Sequence, residues 1–331
     1  MEPPRNLIDA AVYFSDKERA LNFFVAIRWP NGVACPRYGC GSTAVAYMPK
    51  YWIWYCNECK RKFTAKLGTV LEDSPLGLDK WAFAIWMLGS DRNGTSSYEL
   101  GRKVGVTQKS AWFMFHRIRY AMSVGSYEKM DGPIEADETY VGGKATSTRT
   151  NLATGKLMPT GPQQNKSIVA GIMQRKGEVR AFVVPNVQKT TLAPIISENV
   201  TPGATVYTDA LGSYNDLSDE YKHFVINHAL EYVRGHVHTN GIENFWGGLK
   251  RTLTGTYIYT SVQHLDRYLD EQIFRHNNKG EKDATRTRII IEQTDGKRLT
   301  YKALTATVND KQMILKNKQR SAQRKRLAAK T

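Results

Sequence analysis

The segment "GPIEADETYVGGK", residues 132–144, predicts a β-strand that ends in a glycine turn. It contains three acids, Glu135, Asp137 and Glu138. Because side chains alternate between the two faces of a strand, we expect Asp137 and Glu138 to lie on opposite faces. Glu135 shares the face of Asp137. We therefore take Asp137 as a candidate site residue and Glu135 as its main competitor.

The segments that follow predict the rest of an α/β domain. Two further strands, "KSIVAGIMQR" and "GEVRAFVVPNV", are separated by a turn, and "TTLAPIISENV" is helical. A strand in "GATVYTDALGSY", a short strand "KHFVIN" and a helix from Asn240 come next. Three antiparallel strands, a helix, two strands and a helix are typical of the RNase H-like fold. We predict such a catalytic core over residues 130–282.

Three acids occur in this order of elements at positions that can converge. Asp137 lies within the first strand, Asp209 ends the fourth, and Glu243 is near the start of the last helix. Three carboxylates at one edge of the sheet repel one another unless cations neutralise them. Oxygen ligands alone suit Mg²⁺ or Mn²⁺. Two such ions about 3.5–4 Å apart would support displacement at a phosphodiester by water or a 3′-hydroxyl.

Each acid also has a simpler interpretation. Asp209 could serve only as a turn residue before Gly212. Glu243 could be a solvated helix acid or a capping partner of Asn240. The occurrence of all three acids in the order that the fold requires favours a site.

Basic and histidine residues surround the third acid. Lys250 follows Glu243 by about two helical turns, so both project from nearly one face but are too far apart for a direct ion pair. We predict that Lys250 holds a phosphate near the acids and that Arg251 also contacts DNA. His236 and His238 form an H-x-H pair that could bind a metal, or could pack or contact phosphate instead.

All the cysteines lie near the N-terminus and form the pattern C-x4-C-x15-C-x2-C. Two such pairs can converge on one tetrahedral Zn²⁺, so we predict a structural zinc site in a zinc ribbon over residues 1–75. The alternative is four free thiols, and the C-x4-C spacing departs from the commoner C-x2-C. The predicted ligands are Cys35, Cys40, Cys56 and Cys59.

The next segment predicts a helix-turn-helix subdomain over residues 76–125. An apolar helix, "LDKWAFAIWMLGS", precedes two shorter helices in "TSSYELGRKVGVTQKSAWFMFHRIRYAM". In the second of these, Thr107 caps the start, and Lys109, Arg117 and Arg119 are predicted to contact DNA. The alternative is an ordinary three-helix subdomain whose aromatic residues pack inside.

Charge favours a polyanionic partner. The 331 residues include 47 basic and 31 acidic ones, a net charge of +16, and phosphates neutralised by Lys or Arg release counterions. A merely basic protein is the alternative. The tail 311–331, with eight basic and no acidic residues, and the acid-free loop 144–166 are both predicted to follow DNA phosphates.

Around Lys144, "VGGK" lacks the other residues of a nucleotide-binding loop, since Ala145 stands where Ser or Thr is required, so no ATP site is predicted.

The sequence predicts no membrane segment. No apolar run approaches the roughly 18 residues of a membrane span. The start "MEPPRNLIDA" has prolines and acids where a signal peptide needs a basic and then an apolar region. We therefore expect a cytoplasmic, nucleoid-associated protein.

The combined motifs resemble bacterial insertion-sequence transposases of the DDE type with an N-terminal zinc ribbon, the ISXO2-like type, which are related to Merlin elements. The resemblance extends from about residue 13 to 280. It rests on "RWPNGVACPRYGC", "WYCNECKRKFT", "GTVLEDSPLGLDKWAFAIW", "EADETYVGGK", "YTDALGSY", "HTNGIENFWGGLKR" and "HLDRYLDEQIFRHNN".

This resemblance implies a catalytic triad of Asp137, Asp209 and Glu243 followed by Lys250. It implies that the chain binds double-stranded DNA at transposon terminal inverted repeats and target sites, as a homodimer or higher oligomer on paired ends. Hydrolysis at each end would free a 3′-hydroxyl, which then attacks target DNA without ATP. A non-catalytic DNA-binding regulator and a structure-selective nuclease are the alternatives. Residues 283–331 are interpreted as a C-terminal extension.

Overall fold

The computed structural model describes residues 4–123, 128–142, 166–226, 238–258 and 260–306. His236, almost all of the loop 144–166 and the basic tail 311–331 lie outside these residues. The chain divides into two compact units. One comprises Met1–Ser90, Ser97–Ala121 and Lys282–Thr331, and the other comprises Asp91–Ser96 and Met122–Glu281.

The helices and strands follow the predicted order. The helices are α1 (Leu7–Ser15), α2 (Lys17–Arg28), α3 (Leu78–Ser90), α4 (Ser97–Val104), α5 (Gln108–Met122), α6 (Lys189–Asn199), α7 (Asn240–Gly255), α8 (Leu265–Asn277), α9 (Asp283–Glu292) and α10 (Tyr301–Thr305). The strands are β1 (Val45–Met48), β2 (Ile53–Cys56), β3 (Lys62–Phe63), β4 (Ile134–Val141), β5 (Ser167–Gln174), β6 (Val179–Val184), β7 (Thr205–Asp209) and β8 (Lys222–Ile226).

The N-terminal unit contains a small antiparallel sheet in the order β1-β2-β3. Its hairpin carries Cys56 at the end of β2, as the alternating aromatic pattern predicted. The rings of Trp54 and Phe63 stack with centroids 5.9 Å apart and cover the buried Cys35 and Cys56. The apolar face of this sheet therefore packs directly beside the sulfur ligands.

The two helices predicted after residue 90 are α4 and α5. Thr107 caps α5, because its Oγ1 accepts a hydrogen bond from the Ser110 N–H at 3.2 Å. Lys109, in the first turn of α5, is exposed, and its Nζ lies 5.0 Å from the ring centroid of Tyr301.

Arg117 and Arg119 do not lie at the surface where the sequence prediction put them. Arg117 is 6% exposed and Arg119 is 1% exposed. The Arg117 Nε donates to the carbonyl of Leu299 at 3.1 Å, and its guanidinium covers the ring of Phe113. Burial lowers the pKa of Arg117 from its usual value. These two side chains stabilise the interior of the unit, because the segment after α9 packs where DNA was expected.

The second unit is built on a five-stranded sheet in the order β6-β5-β4-β7-β8. The strands β4, β5 and β6 are antiparallel neighbours, whereas β7 is parallel to β4 and β8 is parallel to β7. The central strand β4 thus joins an antiparallel half and a parallel half. Asp137 lies within β4, and Asp209 ends the neighbouring strand β7.

Helices cover both faces of this sheet. On one face, Ile134 and Ala136 of β4 pack in a cluster with residues of α6, such as Leu192, and with the 3₁₀ segment Gly212–Asp219. On the other face, residues of β5 and β6 pack against α7 and α8. Alternation along β4 directs Glu135 and Asp137 toward α7. No helix among the described residues is long and apolar enough to cross a membrane.

Candidate metal centres

The register of the parallel strands brings Asp137 and Asp209 together. The strands β4 and β7 pair Ile134 with Val206 and Glu135 with Tyr207. Continuing this offset places Asp137 beside Asp209, the last residue of β7. The Asp209 Oδ1 also accepts the Leu211 N–H at 3.1 Å, which fixes the turn that follows the strand. Asp209 is therefore both a turn residue and a neighbour of Asp137.

Glu138 is the third acid of this cluster. Carboxylate oxygens of Asp137, Glu138 and Asp209 all lie within 4.8 Å of one another. Glu138 starts from the opposite face of β4, as alternation predicted, and its carboxylate accepts a hydrogen bond from the hydroxyl of Tyr214. The side chain of Glu138, which is longer than that of an aspartate, nevertheless brings an oxygen close to those of Asp137 and Asp209. Sequence reasoning missed Glu138 because alternation fixes the face of a side chain but not its reach.

Burial and mutual repulsion disfavour the charged forms of Asp137 and Glu138. Burial raises the pKa of Asp137 to about 6, and the charges of Asp209 and Glu243 add to the effect. Burial likewise raises the pKa of Glu138 to about 8, and the charges of Asp209 and Asp137 raise it further. A bound cation would favour the charged forms of these acids. Their cluster of oxygen donors fits Mg²⁺ or Mn²⁺, which prefer carboxylate ligands.

Glu243 lies close to this cluster but outside its 4.8 Å limit. It is exposed on the first turn of α7, and its Oε1 accepts the hydroxyl hydrogen bond of Thr239 at 3.1 Å. Its charge still contributes to the raised pKa of Asp137. Glu243 therefore approaches Asp137 from the face of the sheet that α7 covers, whereas the side chain of Glu138 starts from the opposite face.

Glu135, the competitor of Asp137, is committed elsewhere. It is 1% exposed, its Oε1 accepts the Arg175 Nε at 2.8 Å, and its Oε2 accepts the Ile242 N–H at 3.0 Å. The His238 Nδ1 lies 3.4 Å from the same Oε1. With both oxygens occupied by protein donors, Glu135 is part of the structural framework around the site.

The basic residues predicted near the acids are at the surface. Lys250 and Arg251 are both exposed on α7. Both are therefore accessible to a polyanion.

The four cysteines converge as predicted. The Sγ atoms of Cys35 and Cys59 are 3.8 Å apart, and those of Cys40 and Cys56 are 3.6 Å apart. A tetrahedral Zn²⁺ with Zn–S bonds of about 2.3 Å requires sulfur separations of about 3.8 Å. The Cys40 N–H donates to the Arg37 carbonyl at 3.0 Å, which closes the longer C-x4-C knuckle.

The environments of Cys35 and Cys56 shift the pKa values of the two thiols in opposite directions. Burial raises the pKa of Cys35 to about 12, whereas the backbone N–H of Cys59 is the main cause that lowers the pKa of Cys56 to about 7. Donated N–H groups stabilise a thiolate, and a cation at the centre would stabilise all four. The donor set and spacing fit a structural Zn²⁺.

Comparisons with known proteins match two parts of the chain to transposase families. Residues 15–62 match a family model described as a transposase zinc-ribbon domain, and residues 129–277 match one described as an ISXO2-like transposase domain. A transposase-like protein of Haemophilus influenzae is 44% identical over 104 residues, which cover 31% of this chain and 84% of that protein. A protein in transposable element ISH50 of Halobacterium salinarum is 27% identical over 268 residues, covering 77% of this chain and 89% of that protein.

Among solved structures, the Mos1 strand transfer complex is similar with a TM-score of 0.26 and 12% identity. The match covers 66% of this chain and 79% of that one.

Proposed function

Because the chain belongs to the ISXO2-like transposase family with an N-terminal zinc ribbon, we propose that it cuts the ends of an insertion sequence and joins them to target DNA. The reaction we propose is divalent-metal-dependent hydrolysis of a phosphodiester at each end, followed by attack of the freed 3′-hydroxyl on target DNA. Both steps are in-line displacements at phosphorus and need no ATP.

The observation that carries this proposal is the meeting of acids from separate elements at one sheet edge. Asp137 comes from β4 and Asp209 from β7, and Glu243 on α7 is near enough to affect the pKa of Asp137. The sheet order, with an antiparallel half and a parallel half around β4, supports an RNase H-like core. We propose Asp137, Asp209 and Glu243 as the metal ligands.

When bound, two divalent cations supply charge neutralisation and activate the attacking oxygen. Asp137, which neighbours Asp209 and Glu243, would hold these cations together with those two residues. Glu138 adds a fourth carboxyl group beside Asp209, and a bound cation would favour its charged form.

The exposed bases on α7 would hold the substrate. Lys250 lies two turns beyond Glu243 on the same helix, so it can contact a phosphate while Glu243 contacts a cation. Arg251 is next to it and exposed. We propose that Lys250 orients the scissile strand and that Arg251 contacts a neighbouring phosphate.

We propose that the N-terminal unit recognises the element ends. The zinc ribbon presents the exposed Lys60, Arg61 and Lys62 around its cysteines. We propose that α4 and α5 act as a helix-turn-helix, with Lys109 exposed at the start of α5. We assign DNA contact to Lys109 and leave Arg117 and Arg119 out of it because they are buried. Pairing of two ends implies a homodimer or higher oligomer on nucleoid DNA.

The test is an assay of cleavage and joining on a labelled duplex that carries the DNA flanking the gene. We expect Mg²⁺- or Mn²⁺-dependent nicking at the element boundary and joined product when target DNA is added. Asp137→Asn should abolish both while binding to the duplex persists. Cleavage without joining would indicate a structure-selective nuclease, and binding without cleavage by the wild-type chain would indicate a DNA-binding regulator.

A further inference from the structure

Two hydrogen bonds connect strand β4 to helix α7 beneath the acids. The Ile242 N–H donates to the Glu135 Oε2 at 3.0 Å, and the Trp246 Nε1–H donates to the Asp137 Oδ2 at 3.0 Å. The acceptors are two residues apart on one face of the strand, and the donors belong to residues four apart, which lie on one side of the helix. Both bonds therefore join one face of β4 to one side of α7.

The first bond replaces an ordinary helix cap. Thr239, at the N-cap position, makes no capping hydrogen bond, and its hydroxyl donates to Glu243 instead. The buried Glu135 carboxylate accepts the helix N–H in its place, where the positive end of the helix dipole favours a negative charge. A Cβ on Gly241 would lie 2.7 Å from the Glu135 Oε2, so the close approach requires glycine at that position.

Arg175 holds the Glu135 carboxylate in place from the other side. Its Nε donates to Glu135 at 2.8 Å, and its Nη2 donates to the His238 carbonyl at 2.6 Å, just before the helix. Its guanidinium also covers the ring of Tyr207 on β7 at 4.1 Å. Glu135 and Arg175 thus tie β4, β7 and the start of α7 together.

The second bond acts on a proposed metal ligand. Trp246 is 4% exposed, and its indole lies over Gly171, the residue paired with Asp137 on the neighbouring strand. A Cβ on Gly171 would lie 2.6 Å from the Trp246 Cη2. The missing side chain of Gly171 therefore makes room for the ring that orients the Asp137 carboxylate.

We propose that Glu135 and Trp246 are positioning residues that hold α7 in one register on β4 and so set the geometry of Asp137 and Glu243 for cations. Glu135 fixes the start of the helix one residue before Glu243. Trp246 donates to one oxygen of Asp137, whose carboxylate also lies within 4.8 Å of those of Glu138 and Asp209. This inference rests on the metal site of the proposed function.

The test measures Mn²⁺ binding to the zinc-loaded full chain by the electron paramagnetic resonance signal of free Mn²⁺. Trp246→Phe keeps an aromatic side chain and removes the indole N–H. We expect its Mn²⁺ dissociation constant to rise by about tenfold, as when a partner of a metal ligand is removed. The matched control is Trp81→Phe, which removes a buried indole hydrogen bond to Ser74 in the other unit. It should bind Mn²⁺ as the wild type does.

A second pair of variants tests Glu135. Glu135→Gln keeps an acceptor for the Ile242 N–H, so it should bind Mn²⁺ more tightly than Glu135→Ala. A purely structural role would lower the unfolding temperature of both without moving the Mn²⁺ affinity of the folded protein. Equal affinity in Trp246→Phe and wild type would overturn the positioning role, whereas a wild-type chain that binds no Mn²⁺ would overturn the metal site itself.

Discussion

Replacing Gly171 with alanine tests how closely α7 packs on the sheet beside Asp137. The new Cβ would lie 2.6 and 2.7 Å from two ring carbons of Trp246 and 3.1 Å from the Ile242 Cδ1. Carbon atoms normally meet at about 3.5–4.0 Å, so the indole must withdraw by roughly 1 Å. Such a movement would carry its N–H beyond hydrogen-bond range of the Asp137 Oδ2, from which the Nε1 is now 3.0 Å away.

The energetic cost follows from two opposing effects. Overpacking of a well-packed core costs about 1–3 kcal/mol, and replacing a strand glycine by alanine returns about 0.5–1 kcal/mol. At the middle of these ranges the net loss in the free energy of unfolding is about 1 kcal/mol. In a unit of this size that corresponds to a fall of roughly 2–4 °C in unfolding temperature.

Differential scanning calorimetry of the zinc-loaded chain measures this fall. The matched control is Gly248→Ala on α7, where a Cβ would meet nothing within 4 Å. That variant should gain about 0.5–1 kcal/mol from helix propensity. The packing argument is refuted if Gly171→Ala unfolds at or above the wild-type temperature, or if Gly248→Ala loses as much stability as Gly171→Ala.

Five further variants separate the roles assigned above. Cys56→Ser should reduce bound zinc from about one ion per chain toward none, measured by atomic absorption, because it removes one of four sulfur ligands. Glu243→Gln should lower cleavage of a labelled element end by several orders of magnitude while gel-shift affinity persists; Lys250→Ala should retain residual cleavage with the same Mg²⁺ dependence. Arg117→Ala should cost about 1–3 kcal/mol of stability because it leaves a buried carbonyl unpaired, whereas Lys109→Ala should reduce the slope of log affinity against log salt by about one without changing stability.

Other outcomes would contradict each of these predictions. Full zinc content in Cys56→Ser would remove it from the ligand set. Wild-type cleavage by Glu243→Gln would assign its place to another acid, with Glu138 the nearest to Asp137 and Asp209 among the described residues. A stable Arg117→Ala with a reduced salt slope would show that this side chain reaches DNA.

The sequence predicted the order of elements and the residues that begin or end them. Periodic apolar residues and turn signals are local properties, so α5 with its Thr107 cap, β7 ending at Asp209 and α7 beginning at Asn240 agree with the prediction. The two cysteine pairs were equally predictable from the sequence, because a few neighbouring residues determine each knuckle. The family match confirms the transposase resemblance that these motifs carried.

Only the tertiary structure decided which charged side chains are free to act. Alternation placed Glu135 and Asp137 on one face without distinguishing them, and it took Arg175 and the start of α7 to engage Glu135. Glu138 joins Asp137 and Asp209 because β7 ends beside it, which depends on strand register. Arg117 is buried because a segment about 180 residues later packs over it. Contacts between residues far apart in the chain leave no periodic signal, so only the folded chain reveals these partners.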